Sequence, residues 1–442
     1  MKSSENLLPG VPRLAGREWL VLLAGWLGWG FAVYDALLFN YISALCVPDL
    51  LGLSPGDPGA KGKITFWTGA LTALLLVGWA LGGILFGRVT DRLGRTKTLA
   101  LTMLTFSVFT AACGLAPDLW TLSIFRFIAS LGVGGEWAAG AALVAEVMPA
   151  RARVWAGAVL YTASPAGLFL ATFANQLLTQ QIPALAADPS LAWRVVFLSG
   201  LLPVIPAAFI AAKIKEPERW AAAAQDGHGS LSALFAPKLR RKTLGGLAMA
   251  MTALVTWWSC NAFIPTIARF LADEVVPLPP PNELPALRTL FVTRATATFN
   301  LCGLIGTMLT VPLATRFGRR PMFLVYFLAA SILIALAFGA PLDPHARLYC
   351  MGLVGLPVFG VFGSFTYYLP ELFPTRLRGT GSGFCYNTGR IVTAAFALLI
   401  GFLGQFSTSP LHLIRWVALA PLGGIAILLL GLVEETKGKD LE

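Results

Sequence analysis

Gly87–Leu99 reads GRVTDRLGRTKTL. Arg88, Asp91, Arg92, Arg95 and Lys97 crowd into this stretch, and on each side lie long runs with almost no charge. A chain that confines its charge to short connectors between apolar runs is patterned for a bilayer. Its 442 residues are 56% hydrophobic and 12% charged, against about 25% charged in soluble domains, and the mean hydropathy is +0.72. A water-soluble globule of this length would need more polar surface to cover itself. The net charge of +11 sits in the connectors, so it reads as a topology signal rather than a nucleic-acid face.

Twelve runs have the roughly 20 apolar residues a spanning helix needs. The first six are Glu18–Leu45, Ile64–Gly87, Thr98–Leu115, Leu119–Leu143, Val154–Leu178 and Trp193–Ala212. The second six are Leu244–Leu271, Leu290–Thr315, Met322–Ala340, Ala346–Tyr368, Gly379–Phe406 and Leu411–Val433. β-Barrel strands would be ~10 residues long and alternating. With both termini inside, roughly 23 of the 33 Lys and Arg fall on the inner side and about 8 on the outer, as the positive-inside rule requires. The fold expected is an all-α membrane protein of two six-helix halves, 1–212 and 243–442, joined by a cytoplasmic linker, 213–242. The outer VVPLPPP stretch (275–281) reads as a stiff spacer. The N-terminal segment has no cleavable signal pattern, so the first span is expected to direct insertion. Six cysteines without paired spacing and three histidines without ligand spacing point to neither metal nor disulfide chemistry.

The opening stretch has a second copy. Arg92-Leu-Gly94-Arg95 recurs as Arg316-Phe-Gly318-Arg319, 224 residues on. Glu146-Val-Met-Pro-Ala-Arg151-Ala-Arg153 recurs as Glu371-Leu-Phe-Pro-Thr-Arg376-Leu-Arg378 at an offset of 225, as Tyr161 does at Tyr386. Two connectors matching at offsets of 224 and 225, each at the same place in its half, indicate parallel duplicated halves, the plan of many secondary transporters.

On these residues the chain resembles the major facilitator superfamily. Gly87-x-x-x-Asp91-Arg92-x-Gly94-Arg95 is similar to its signature loop between helices two and three, with Thr315 replacing the acid in the second copy. Lys215-Glu-Pro-Glu-Arg-Trp220 and Glu435-Thr-Lys-Gly-Lys-Asp-Leu-Glu442 resemble sugar-porter motifs. Arg126 with Gly132-Val-Gly-Gly-Glu136-Trp137, and Leu369–Arg376 with Tyr386-Asn387-Thr-Gly-Arg390, resemble the metabolite:proton (organic acid) symporters. The resemblance implies a monomeric transporter with a gate at the first motif. Asp91, Arg92, Arg95, Gly87, Gly94, Glu146, Arg151, Arg316, Arg319, Glu371 and Arg376 are its candidate gating residues.

Ionisable residues at membrane depth cost about 2.5–3.5 kcal/mol each and by default mark function. Asp35, set among aromatics in the first span, is the candidate proton carrier, with Glu136 as a second; Ala32 stands where related symporters carry another acid. Arg126 and Glu136 lie ten residues apart, about 15 Å along and 80° around one helix, so each needs its own partner. Arg390 shares a polar stripe with Tyr386 and Asn387, and its fork suits a carboxylate. Asn261, Trp257, Tyr161 and Arg126 complete the candidate substrate contacts, and Pro265 is expected to kink or break the seventh span.

These features point to a proton-coupled symporter of a small organic anion, with a sugar or polyol porter as the alternative and a drug:proton antiporter after it. No nucleophile–base pair or phosphate loop suggests an enzyme. No cofactor is expected beyond the coupling proton, and the cell membrane is the expected location.

Overall fold

The computed structural model describes residues 13–53, 57, 59–223, 229–275, 280, 282–404 and 415–441. Ten helices among them are long and apolar enough to cross a bilayer. The first four are Gly16–Leu50, Ala60–Leu93, Arg95–Cys113 and Leu119–Val147. The fifth and sixth spans cover Ala150–Gln181 and Pro189–Lys213, and the seventh to tenth are Arg240–Ala272, Leu284–Arg316, Arg319–Gly339 and Pro344–Leu372. Arg378–Gly404 and the shorter apolar helix Leu419–Leu429 overlap the runs expected as the eleventh and twelfth spans. The beginning expected for the twelfth span at Leu411, His228, His412 and most of VVPLPPP fall outside the described residues.

Large apolar side chains such as Phe66, Ile124, Phe169, Ile205 and Leu301 stand on the outside. That is the arrangement for a chain whose surrounding solvent is lipid. Buried small residues let the helices approach. A Cβ on Gly82 would lie 2.1 Å from the Leu131 carbonyl, and one on Gly306 would lie 1.9 Å from that of Leu356. Spans 2 and 4 in one half, and 8 and 10 in the other, therefore touch backbone to backbone.

Proline decides where spans break. The fifth divides at Thr162 into Ala150–Tyr161 and Ala163–Gln176, because Pro165 has no N–H for the Tyr161 carbonyl. The sixth passes through a tight turn at Ser199–Leu201 just before Pro203. The seventh runs unbroken through Pro265. Of the kink or break expected there, the break does not occur.

The repeat is visible in the backbone. Gly94 (φ 114°) and Gly318 (φ 103°) each turn the chain directly into the third and ninth spans, a conformation that a Cβ would strain. Span 2 packs on span 11, and spans 8 and 10 pack on span 5, so the two halves meet along related seams.

Candidate functional site

Midway through the bundle, a cavity of about 60 Å³ is lined by Trp29, Trp79, Tyr161, Ser164, Trp257, Phe362, Tyr386 and Arg390, with apolar neighbours. That volume admits about two waters, so in this state the halves have closed on the site. Arg390 is 4% exposed. Its guanidinium lies 4.0 Å from the Trp79 ring centroid and 5.1 Å from that of Tyr386, and its Nε donates to Asn387 Oδ1 at 3.3 Å. Asn387 is held in turn by donating to the Gly383 carbonyl (3.0 Å). Among the described residues no carboxylate lies within ion-pair distance of Arg390. Tyr386 stacks on Trp137 at 3.9 Å, and Tyr161 stacks on Phe362 at 5.7 Å. The indole N–H groups of Trp29, Trp79 and Trp257 have no acceptor. The site is a fixed cation in an aromatic box with donors to spare.

Two buried acids lie off the lining of this cavity. Thr110 donates to Asp35 Oδ2 at 2.6 Å, and Asp35 Oδ1 has no partner. Arg126 shares this pocket, its guanidinium 4.2 Å from the Phe39 ring, with Nε and Nη2 unpartnered. Glu136 is fully buried and neither oxygen has a partner. It abuts Gly28 of the first span, where a Cβ would come within 2.5 Å of Oε1. Glu136 opens onto a gap of about 10 Å³ shared with Trp29, Trp137 and Thr366, and Trp29 also lines the main cavity.

At the basic end the two halves are tied together. Asp91 sits at the start of span 11 and accepts from the N–H groups of Gly379 (2.9 Å) and Thr380 (2.7 Å) and from the Thr380 hydroxyl (2.7 Å). Negative charge belongs at a helix N-terminus. Arg95 bridges Asp91 (3.2 Å) and Glu146 (2.8 Å), and Arg378 of the second half reaches the same Glu146 oxygen at 2.8 Å. The second half repeats the set. Arg319 pairs with Glu371 at 2.8 Å, and Arg153 of the first half approaches Glu371 at 3.8 Å. Each repeated glutamate thus holds one arginine from each half. The linker Glu216 accepts from the N–H groups of Arg95, Thr96 and Lys97, and Glu435 accepts from those of Arg319 and Arg320. The two sugar-porter-like motifs therefore cap spans 3 and 9 at the basic end, away from the cavity.

The sequence profile described as the Major Facilitator Superfamily matches residues 26–397. The chain belongs to the major facilitator superfamily. A probable 4-methylmuconolactone transporter of Cupriavidus pinatubonensis is 30% identical, over 85% of this chain and 81% of that protein. The cis,cis-muconate transport protein of Acinetobacter baylyi is 27% identical, over 84% and 87%. In fold the chain matches the proton:xylose symporter XylE at a TM-score of 0.74 and 18% identity, covering 96% of this chain and 97% of that one. This superfamily member is a multi-pass transporter and not an enzyme.

The structure gathers Trp257, Tyr161, Tyr386 and Arg390 at the transporter's cavity, with Asn387 behind the arginine. It does not bring Asn261 there; that residue is exposed. Arg126 also lies off the cavity, because its helix turns it toward Phe39 and Asp35. Of the gating candidates, Asp91, Arg95, Glu146, Arg319 and Glu371 form the network, and Gly87 and Gly94 permit its close packing. Arg92, Arg151, Arg316 and Arg376 are exposed. Arg153 and Arg378 take the buried positions instead. In the helix beginning at Ala150, two residues of advance turn a side chain by about 200°, from the outer face to the inner one. The sequence carried this signal, since Arg153 and Arg378 recur at the same offset as their neighbours. Trp29 and Trp79 carried none, because tryptophan in a membrane span reads first as an interface residue.

Proposed function

We propose that this transporter is a proton-coupled symporter of a small organic anion, a monocarboxylate or related carboxylic acid. It works by alternating access in the cell membrane, with both termini cytoplasmic. One observation carries the reading: Arg390 is buried at the cavity with no carboxylate partner among the described residues. A buried cation is costly unless paired, and a bidentate carboxylate supplies the pair. The aromatic walls favour a planar, unsaturated anion, in keeping with the muconate named for one relative. A polyol is poorly served, since no Asn, Gln, Asp or Glu side chain lines the cavity among the described residues. The two motifs that favoured sugar cap helices at the basic end, so they bear on the gate and not on the solute.

Asp35 and Glu136 carry the proton. Each is buried, outside any ion pair among the described residues, and has an oxygen free to hold hydrogen. Proton and anion together present a site of lower net charge when the two halves close around it. The test is uptake of labelled cis,cis-muconate, benzoate and xylose into proteoliposomes. Carboxylate accumulation follows an inward proton gradient and collapses with a protonophore. Asp35→Asn abolishes accumulation while exchange of internal for external carboxylate persists. Uptake indifferent to pH and protonophore refutes the coupling, and xylose displacing the carboxylates refutes the substrate class.

A further inference from the structure

Spans 2 and 11 meet along a ladder of four rungs. At the basic end Asp91 holds the N–H groups of Gly379 and Thr380. Four residues back on span 2, Gly87 is pressed against Gly379, and a Cβ there would lie 2.7 Å from the Gly379 carbonyl. Four further back, Gly83 faces Gly383 and Asn387; a Cβ would lie 1.9 Å from Asn387 Nδ2. Four further again, Trp79 lies under the Arg390 guanidinium at 4.0 Å. The stripe 79, 83, 87, 91 on one helix therefore meets 390, 387, 383, 379 on the other. The intervals of three and four residues keep each stripe on one face, and the ladder is about 18 Å long. Its bottom rung belongs to the gate and its top rung to the substrate cavity, with two glycine rungs between them that have no room for a side chain.

We propose that Trp79 is a positioning residue that couples the substrate arginine to the cytoplasmic gate. In the empty transporter the Arg390 charge is drawn to the Trp79 face, which seals the top of the seam between the halves. A ring attracts a cation through its quadrupole, and the attraction falls when the cation is neutralised. A carboxylate taken up by the guanidinium edge from the cavity neutralises that charge and loosens the top rung. Loading thus unlatches spans 2 and 11 from above, while an empty site holds them closed. The loading step rests on the carboxylate reading of Arg390; the seal in the empty protein does not.

The experiment places spin labels at the exposed Arg92 and Arg376 positions, one in each half at the basic end, with the part-exposed Cys302 and Cys350 replaced by serine. Distance distributions are recorded with and without cis,cis-muconate, and muconate binding is read separately by tryptophan quenching. The labelled parent is short without ligand and gains a longer population with it. Trp79→Leu raises the long population without ligand by about thirtyfold, the scale of a desolvated cation–π contact, and flattens the response to muconate. Trp79→Phe, which keeps a ring, lies between them and controls for folding. Parent-like distances in ligand-free Trp79→Leu overturn the proposal. So does loss of muconate binding in Trp79→Leu with distances unchanged, which makes Trp79 a cavity wall only. If the parent binds no carboxylate, the anion reading and the loading step fail together, and the ligand-free comparison still decides whether Trp79 seals the seam.

Discussion

Asp91→Asn tests the gate most directly. In the closed arrangement Asp91 accepts from two backbone N–H groups and a hydroxyl at the start of span 11, and touches Arg95 at 3.2 Å. Asparagine keeps one oxygen for one of those N–H groups, and its amide nitrogen then faces another donor. Leaving one buried N–H unpaired costs about 1–3 kcal/mol, and removing negative charge from a helix N-terminus costs roughly another 1 kcal/mol. Arg95 retains Glu146 at 2.8 Å, so its contribution changes little. When the seam opens, water reaches the same groups, and the penalty applies to the closed state alone. The closed-to-open ratio therefore falls by about 3 kcal/mol, a factor of order 10². The Arg92/Arg376 label pair reads this as a shift to long distances without ligand. Because a carboxylate that opens the seam binds the open state more tightly, apparent affinity of the central site holds or rises and does not fall. An unchanged distance distribution refutes the gate assignment, and a large loss of affinity with closed distances would move Asp91 into the binding site.

Further outcomes follow from the same geometry. Arg390→Lys replaces a planar fork with a point charge and weakens muconate binding by about 10–100-fold in a quenching titration. Gly83→Ala puts a methyl group 1.9 Å from Asn387 Nδ2, so the label pair opens without ligand although no charge has changed. At Glu435 burial acts to raise the carboxyl pKa, but N–H donors from Arg319, Arg320 and Lys437 prevail and hold it below the usual range. A depressed folded pKa gives stability that is present above the unfolded value, about 4.3 for glutamate, and is lost as pH falls. Thermal unfolding across pH 6 to 3 should therefore show a declining acid limb that is shallower in Glu435→Gln.

Some of the site was legible in the residues alone. Arg390 and Asp35 stood out because charge at membrane depth is expensive wherever it falls, and Asp91 stood out as a lone acid among bases. Asn261 and Arg126 show the limit. Helical spacing states which residues share a face, and it is silent on whether that face meets a cavity, a neighbouring pocket or the outside. Glu216 and Glu435 resembled substrate-class motifs, yet their carboxylates cap helices.

The chain's own pattern determined the solvent, the duplication and the basic end. Each follows from local physics: apolar run length, charge in connectors, and a glycine where the backbone must take a positive φ. Tertiary structure alone decided which arginine of each repeated pair is buried and which helix each acid faces. It also decided that Trp79 and Arg390, 311 residues apart in the chain, lie in contact. Those outcomes depend on the azimuth of one helix against another across the two halves, which close packing fixes only when all the spans are in place.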